Sequence, residues 1–290
     1  MATPEQSPTS PTTPRPASGE IDPASGLVPA RGRPPVALER KPWSVIGPDF
    51  YRTWSKDEKG RYQPEHLEVL GQSGSGKSFW LTQVLVHMAR LRKSTIIYIA
   101  TKQADKTIAQ LGWHVTDSIR EVDQHEQVVF WPRTSKTGRA RKAYQAAKVE
   151  ELLDHLWQPE ANVIVVFDEI ATIAALSPEV RALVEMYLRE GRSHGIVCVM
   201  GKQRGQRILP DMHSESSWLV VFYLKTLIDR EYAAGLLGGK SEWLPVLESL
   251  SKEDHDFIIQ HSAGDEQYIS RIDKPVNVRA VSKSTSGYRR

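Results

Sequence analysis

The sequence predicts an α/β fold: a mostly parallel central sheet flanked by helices, with a β-hairpin near the C-terminus. Three observations lead there. Short apolar runs rich in β-branched residues recur at 66–70, 95–100, 128–131, 163–167, 196–200 and 218–224. All but the first are nearly continuous rather than alternating, as expected of strands covered on both faces. Helical patterns separate several of these runs, and alternation of strand and helix implies a parallel sheet. Finally, 257–260 and 267–271 flank Ser-Ala-Gly-Asp, which reads as a hairpin.

Residues 1–40 hold nine of the 18 prolines, with many Ser, Thr and Ala and few aliphatics. Such a segment buries too little apolar surface to offset its ordering entropy, so it reads as a disordered Pro-rich arm. Trp43, Phe50, Tyr51 and Trp54 supply anchoring aromatics, so order begins near Lys41. The strand at 66–70 stops at Gly71. From Ser78 to Arg92 the apolar residues Leu81, Val84, Leu85, Met88 and Leu91 fall on one helical face. A second helix is expected over 143–157. A third starts at Ser177, an N-cap followed by Pro178 at the first helical position, and runs to about Ser193. Residues 41–275 then form one α/β domain, and 276–290, with four cations and no acid, form a flexible basic tail.

Composition excludes several classes. No run of about 18 apolar residues predicts a membrane span. No basic segment followed by an apolar stretch marks a secretory leader. A single cysteine, Cys198, rules out a disulfide framework or a Cys-rich zinc site. A reducing, cytoplasmic setting is expected. The net charge of +3 does not by itself call for nucleic acid, so the distribution of charge matters more.

The strongest motif is Gly71-Gln72-Ser73-Gly74-Ser75-Gly76-Lys77-Ser78, a full match to G-x-x-x-x-G-K-[ST] between a strand and an amphipathic helix. Glycines let the backbone wrap a phosphate chain with its N–H groups pointing inward, and the helix adds its positive end. Lys77 would reach the β- and γ-phosphates of ATP, and Ser78 would ligate Mg²⁺.

The run 163–167 ends in Asp168-Glu169. At the carboxyl end of a parallel strand these lie at the ligand crevice. Asp168 would hold Mg²⁺ through water, and Glu169 could activate the attacking water as a general base. A guanine-reading N-K-x-D motif is absent. Leu236-Leu237-Gly238-Gly239-Lys240 resembles a transporter signature but follows the acidic strand instead of preceding it. What remains is an NTPase with a catalytic Glu and an extra strand inserted in the sheet.

The helix after Ser177 turns Arg181, Glu185, Arg189 and Arg192 to one side, toward solvent or a neighbouring subunit. Arg189-x-x-Arg192-x-x-Gly195-Ile196, then an apolar strand ending in Gln203-Arg204, resembles the FtsK–HerA superfamily of DNA-pumping ATPases over roughly 67–224. The resemblance implies a RecA-like core with the sensor strand between the phosphate-loop and acidic strands. It implies a ring, usually a hexamer, around duplex DNA. Gln203 matches the γ-phosphate sensor, and Arg192 the arginine that enters the neighbouring subunit's site, with Arg189 a weaker match. The chain departs from relatives at Ala100-Thr101, where an Asp-Pro-Lys-like turn is usual, leaving Lys102 without an assigned role. It departs again at Gly205, where the family often has Pro.

A bare motor of this size resembles the genome-packaging ATPases of tailless, internal-membrane viruses. That implies a host-cytoplasmic or virion-associated protein whose arm meets a capsid or membrane-vertex partner. Conjugative transfer, DNA repair, or nucleotide-dependent assembly without DNA movement are the alternatives. Arg133, Lys136, Arg139, Arg141 and Lys142 place five cations within ten residues without an acid. They read either as a DNA-facing loop at a ring's pore or as a solvated surface loop.

Overall fold

The computed structural model describes residues 38, 40–54, 63–205, 209, 212–262 and 267–272. The arm before Leu38 and the basic tail at 276–290 lie outside the described residues. Ten strands form one sheet: β1 (Arg40–Pro42), β2 (His66–Leu70), β3 (Thr95–Ile99), β4 (His114–Thr116), β5 (Gln127–Phe130), β6 (Val163–Phe167), β7 (Ile196–Lys202), β8 (Ser216–Phe222), β9 (Asp256–His261) and β10 (Gln267–Arg271). The helices are α1 (Trp43–Thr53), α2 (Lys77–Arg92), α3 (Lys106–Ala109), α4 (Ile119–Val122), α5 (Gly138–Leu156), α6 (Ile170–Ala174), α7 (Pro178–Glu190), α8 (Leu227–Leu237) and α9 (Lys240–Glu248).

The strand order is β1-β10-β9-β8-β2-β7-β6-β3-β5-β4. From β8 to β4 every neighbouring pair is parallel. The predicted C-terminal hairpin is the antiparallel pair β9–β10, and it extends the sheet by pairing with β8. β7 lies between β2 and β6, so the expected inserted strand is present.

Period-two alternation divides the core. Leu67, Val69, Ile164, Val166, Val197 and Val199 face α1 and α2 on one side. Here the anchoring aromatics predicted from sequence converge: Phe50 meets Trp54, Trp80 and Trp218, and Trp43 meets Trp80 and Phe257. Full burial of a side chain such as Trp80 contributes on the order of 2–3 kcal/mol. The other face carries two separate apolar clusters. One joins β3, β5, β6 and β7 to α5 and α7. The other joins β8 and β9 to α8 and α9.

Helix starts follow local chemistry. Ser177 accepts the Val180 N–H at 3.0 Å, with Pro178 next, as the sequence predicts. Thr226 accepts from the Asp229 N–H and opens α8. The Leu236–Lys240 stretch is the junction of α8 and α9, with Gly238 in the left-handed region at φ 119°. One expectation is corrected. α5 starts at Gly138, five residues before the predicted 143, because Arg139, Ala140, Arg141 and Lys142 are themselves good helix formers. Three of the five clustered cations therefore lie within the first five residues of α5, and only Arg133 and Lys136 lie in a loop.

Gly201 is a point of close approach. A Cβ there would sit 2.2 Å from the Asp168 carbonyl oxygen, a backbone atom with nowhere to retreat. Gly201→Ala is expected to push β7 off the end of β6 and destabilise the domain by about 2–3 kcal/mol, read as a lower urea midpoint with unchanged slope.

Candidate nucleotide site

The phosphate loop begins where β2 ends. The Gly71 N–H donates to the Lys202 carbonyl at 3.0 Å, and a Cβ on Gly71 would lie 2.7 Å from Phe222 Cβ. Gly74 and Gly76 adopt φ of 79° and 95°, left-handed values that glycine alone enters at little cost. The turn closes through Ser75 N–H to the Gln72 carbonyl at 3.2 Å. The Gln72 side chain accepts the Lys225 N–H at 3.1 Å, joining the loop to the segment after β8. Gly76 is the N-cap of α2, whose free N–H groups and positive end point into the cleft.

That cleft has a volume of about 510 Å³ and is lined by Gln72, Ser73, Gly74, Gly76, Lys77 and Ser78 of the loop. Asp168, Gln203, Lys102, Asp105, Phe79, His255 and Ile272 complete its walls. The structure thus brings together the predicted loop, the metal-binding candidates Ser78 and Asp168, and the sensor candidate Gln203.

Lys77 is buried, and its ammonium donates to the Lys202 carbonyl at 3.2 Å. Burial lowers its proton affinity, while the nearby Asp168 and Glu169 charges oppose that shift. Asp168 is held by two donors. The Tyr98 hydroxyl reaches Oδ1 at 2.6 Å, and the Lys102 ammonium reaches Oδ2 at 3.2 Å while also bridging to Asp105. Burial and the Asp168 charge push the Tyr98 phenol well above its ordinary range, so it remains a donor. Glu169 has its carboxyl raised by burial, against the pull of Lys77 and a hydrogen bond from the Gln203 backbone. Its Oε2 is buried with no hydrogen-bond partner among the described residues. A base with one anchored oxygen and one unengaged oxygen is suited to taking a proton from water.

The donor set fits Mg²⁺. No cluster of three metal-binding side chains exists among the described residues. Mg²⁺ in phosphate-loop sites needs only a hydroxyl, a carboxylate, water and the substrate's own phosphates. Ser78 and Asp168 both face the cleft, and Asp168 Oδ2 already engages a cation, the Lys102 ammonium.

Arg192 is placed elsewhere. It lies in a 3-10 turn at Gly191–His194, half-buried, with Nη2 3.2 Å from Glu215 Oε2. It is close enough to His66, the first residue of β2, to help burial hold that imidazole down at about 4. That is the opposite end of β2 from the phosphate loop. Arg189 is exposed on α7. Sequence reasoning missed Tyr98, Asp105, His255 and Ile272, and left Lys102 unassigned. Tyr98 sits inside a hydrophobic strand, and the others join the site only through the packing of distant segments.

No protein-family model matches the sequence, and no curated protein matches it. Solved structures do match the fold. The DNA-packaging ATPase B204 from Sulfolobus turreted icosahedral virus aligns with a TM-score of 0.55 and 13% identity, over 73% of this chain and 100% of that one. The genome packaging NTPase B204 from Sulfolobus turreted icosahedral virus 2, in complex with sulfate, gives 0.54 and 14%, over 73% and 97%. The cytoplasmic domain of the Type VII secretion ATPase EccC from Thermomonospora curvata gives 0.52 and 15%, over 80% of this chain and 29% of that one. The fold is therefore that of a RecA-like P-loop ATPase core.

The site separates binding from turnover. Lys77→Ala is expected to weaken binding of a non-hydrolysable ATP analogue at least tenfold by calorimetry. Glu169→Gln is expected to keep that binding and lower turnover on the order of 10²–10⁴-fold. A carboxylate works as a general base only when ionised, and burial raises the proton affinity of Glu169. The acid limb of the pH–rate profile is thus expected above the ordinary Glu value of 4.5.

Proposed function

We propose that this chain is an ATP-hydrolysing motor of the FtsK–HerA superfamily that assembles into a ring, most simply a hexamer, and moves double-stranded DNA. The setting we favour is packaging of a viral or mobile-element genome, from the host cytoplasm into a particle. The observation that carries the reading is the placement of β7. It runs between the phosphate-loop strand β2 and the acidic strand β6 and ends at Lys202, one residue before Gln203, whose backbone meets Glu169. A group at that position feels both the nucleotide's terminal phosphate and the catalytic base.

In this reading Lys77 neutralises the β- and γ-phosphates, and Ser78 and Asp168 hold Mg²⁺, which supplies charge stabilisation on the phosphates when bound. Glu169 accepts the proton of the attacking water. Gln203 reports the γ-phosphate. Arg192 serves the site of the next subunit, where its charge stabilises the transferred phosphoryl group. DNA would be met by phosphate contacts from Arg133, Lys136 and the first turn of α5. This segment borders the cleft end of the sheet, since Arg141 donates to the Thr101 carbonyl and Gln103 to the Thr134 carbonyl. The Pro-rich arm would meet a capsid or membrane-vertex protein. Fold likeness to a secretion ATPase supports a second reading, a nucleotide-driven assembly protein that does not act on DNA.

Two measurements separate these readings. Hydrolysis by the motor is expected to rise on addition of duplex DNA and to lose that stimulation steeply between about 50 and 200 mM salt. No stimulation at low salt favours the assembly protein. Mixing inactive Glu169→Gln and Arg192→Ala chains is expected to restore partial turnover, because some mixed interfaces carry both groups intact. Full activity of Arg192→Ala alone rules out the trans arginine.

A further inference from the structure

A second set of charged groups lies within the sheet, outside the nucleotide cleft. Glu68 is the middle residue of β2 and is wholly buried. Its Oε1 accepts from the Lys202 ammonium at 3.0 Å, and its Oε2 pairs with His213 Nδ1 at 3.2 Å. Lys202 is also buried, and its ammonium meets the Tyr232 hydroxyl of α8 at 3.2 Å. Burial favours the neutral form of Glu68. His213 and Lys202 outweigh it, so the carboxyl stays below its ordinary range. These groups occupy β2 and β7, between the apolar cluster under α5 and α7 and the one under α8 and α9.

A buried ion pair is a poor device for stability, because apolar residues of similar size often hold a fold as well or better. Position is what this one supplies. Lys202 is the last residue of β7, and its carbonyl takes both the Lys77 ammonium and the Gly71 N–H. The next residue is the sensor, Gln203. At the other end of the network, His213 lies in the turn at 212–215. Two residues on, Glu215 holds Arg192, which lies just before β7 begins. One turn thus grips the sensor strand at both ends: at its start through Glu215 and Arg192, and at its finish through His213, Glu68 and Lys202.

From this geometry we propose that the turn at 212–215 is a coupling element, linking the position of Arg192 to the sensor end of β7 through the buried Glu68–Lys202 pair. The inference rests on the reading that Arg192 serves a neighbouring subunit's site. For Arg192 to reach across, it must leave Glu215. The turn then keeps only its His213 anchor, and the balance of forces on Glu68 and Lys202 changes. Strain arising at a subunit boundary is thereby felt at the carbonyl that holds Lys77 and at the residue that meets Glu169. Glu68, Lys202 and His213 are positioning residues in this scheme and touch no nucleotide.

A double-mutant cycle on the full-length chain tests the link, read as affinity for a non-hydrolysable ATP analogue with Mg²⁺. One arm is Glu215→Gln. The other removes both buried charges together, Glu68→Leu with Lys202→Met, which leaves no buried charge uncompensated, and thermal unfolding confirms that it folds. Coupling is expected as a departure of at least fivefold from the product of the separate effects. Arg192→Ala in place of Glu215→Gln is expected to give the same departure, which a purely local role of Glu215 in the turn would not. Effects that multiply to within twofold, in either version, overturn the coupling and leave the nucleotide motor standing. Failure of the unaltered chain to bind the analogue removes both.

Discussion

The site depends on how closely the carboxyl end of β7 lies against its two neighbours. On one side Gly201 lets that strand pass the Asp168 backbone at a distance no side chain would tolerate. On the other, the Lys202 carbonyl receives the Gly71 N–H and the Lys77 ammonium. A phosphate loop has little side-chain bulk with which to hold its shape. Here its first glycine and its lysine are both referred to one oxygen of the central sheet. The acidic residues, the loop and Gln203 are thus all referred to the end of β7, and a shift of β7 moves all three.

Electrostatics around that point divide the work between adjacent carboxylates. Asp168 faces a phenol and an ammonium, two donors that hold its oxygens toward the place where a metal and phosphates would be. Glu169, one residue on, is turned into a drier setting with a single backbone hydrogen bond and an oxygen left over. β6 ends at Phe167 and the chain turns through this pair into α6, so neighbours in sequence acquire unlike surroundings. Lys102 adds a cation that bridges Asp105 and Asp168, keeping the carboxylate compensated without phosphates or metal. That role was illegible from the sequence, because nothing near Lys102 forms a motif.

How much was readable follows from the range of each signal. The phosphate loop and the acidic strand end are local: their residue types and spacing state their chemistry, and most of the loop together with Asp168 lines the cleft. The six apolar runs became strands, five of them because short, continuous, β-branched-rich segments suit strands covered on both faces. β1 and β4, three residues each, were missed because so short a strand carries no period. α8 and α9 were missed as well. Their mixed apolar and polar residues show only a weak face, and Pro245 interrupts the second. The start of α5 was placed late because charged residues were taken as a loop when they are good helix formers. Glu68 was the least legible of all. In the sequence it is one acid in a strand, and only the fold brings Lys202 and His213 to it.

Arg192 lies too far from the phosphate loop to reach a nucleotide bound in its own chain. It lies by His66, at the amino end of β2, whereas the phosphate loop begins at the carboxyl end. Five strand residues at about 3.3 Å each put roughly 16 Å of sheet between the two ends, more than an arginine side chain spans. Any contact between this guanidinium and a nucleotide therefore has to be made with a second copy of the chain. Within its own chain the charge would be costly to leave unpaired, since it is half-buried beside an imidazole that burial keeps neutral. Glu215 supplies the partner. An ion pair that is partly open to solvent is worth only about 1 kcal/mol, so it holds the arginine loosely. A fully buried pair at the same place would have locked it. Glu68 and Lys202 differ in being sealed from water, so of the two pairs the Arg192–Glu215 contact is the one that separates at the lower cost.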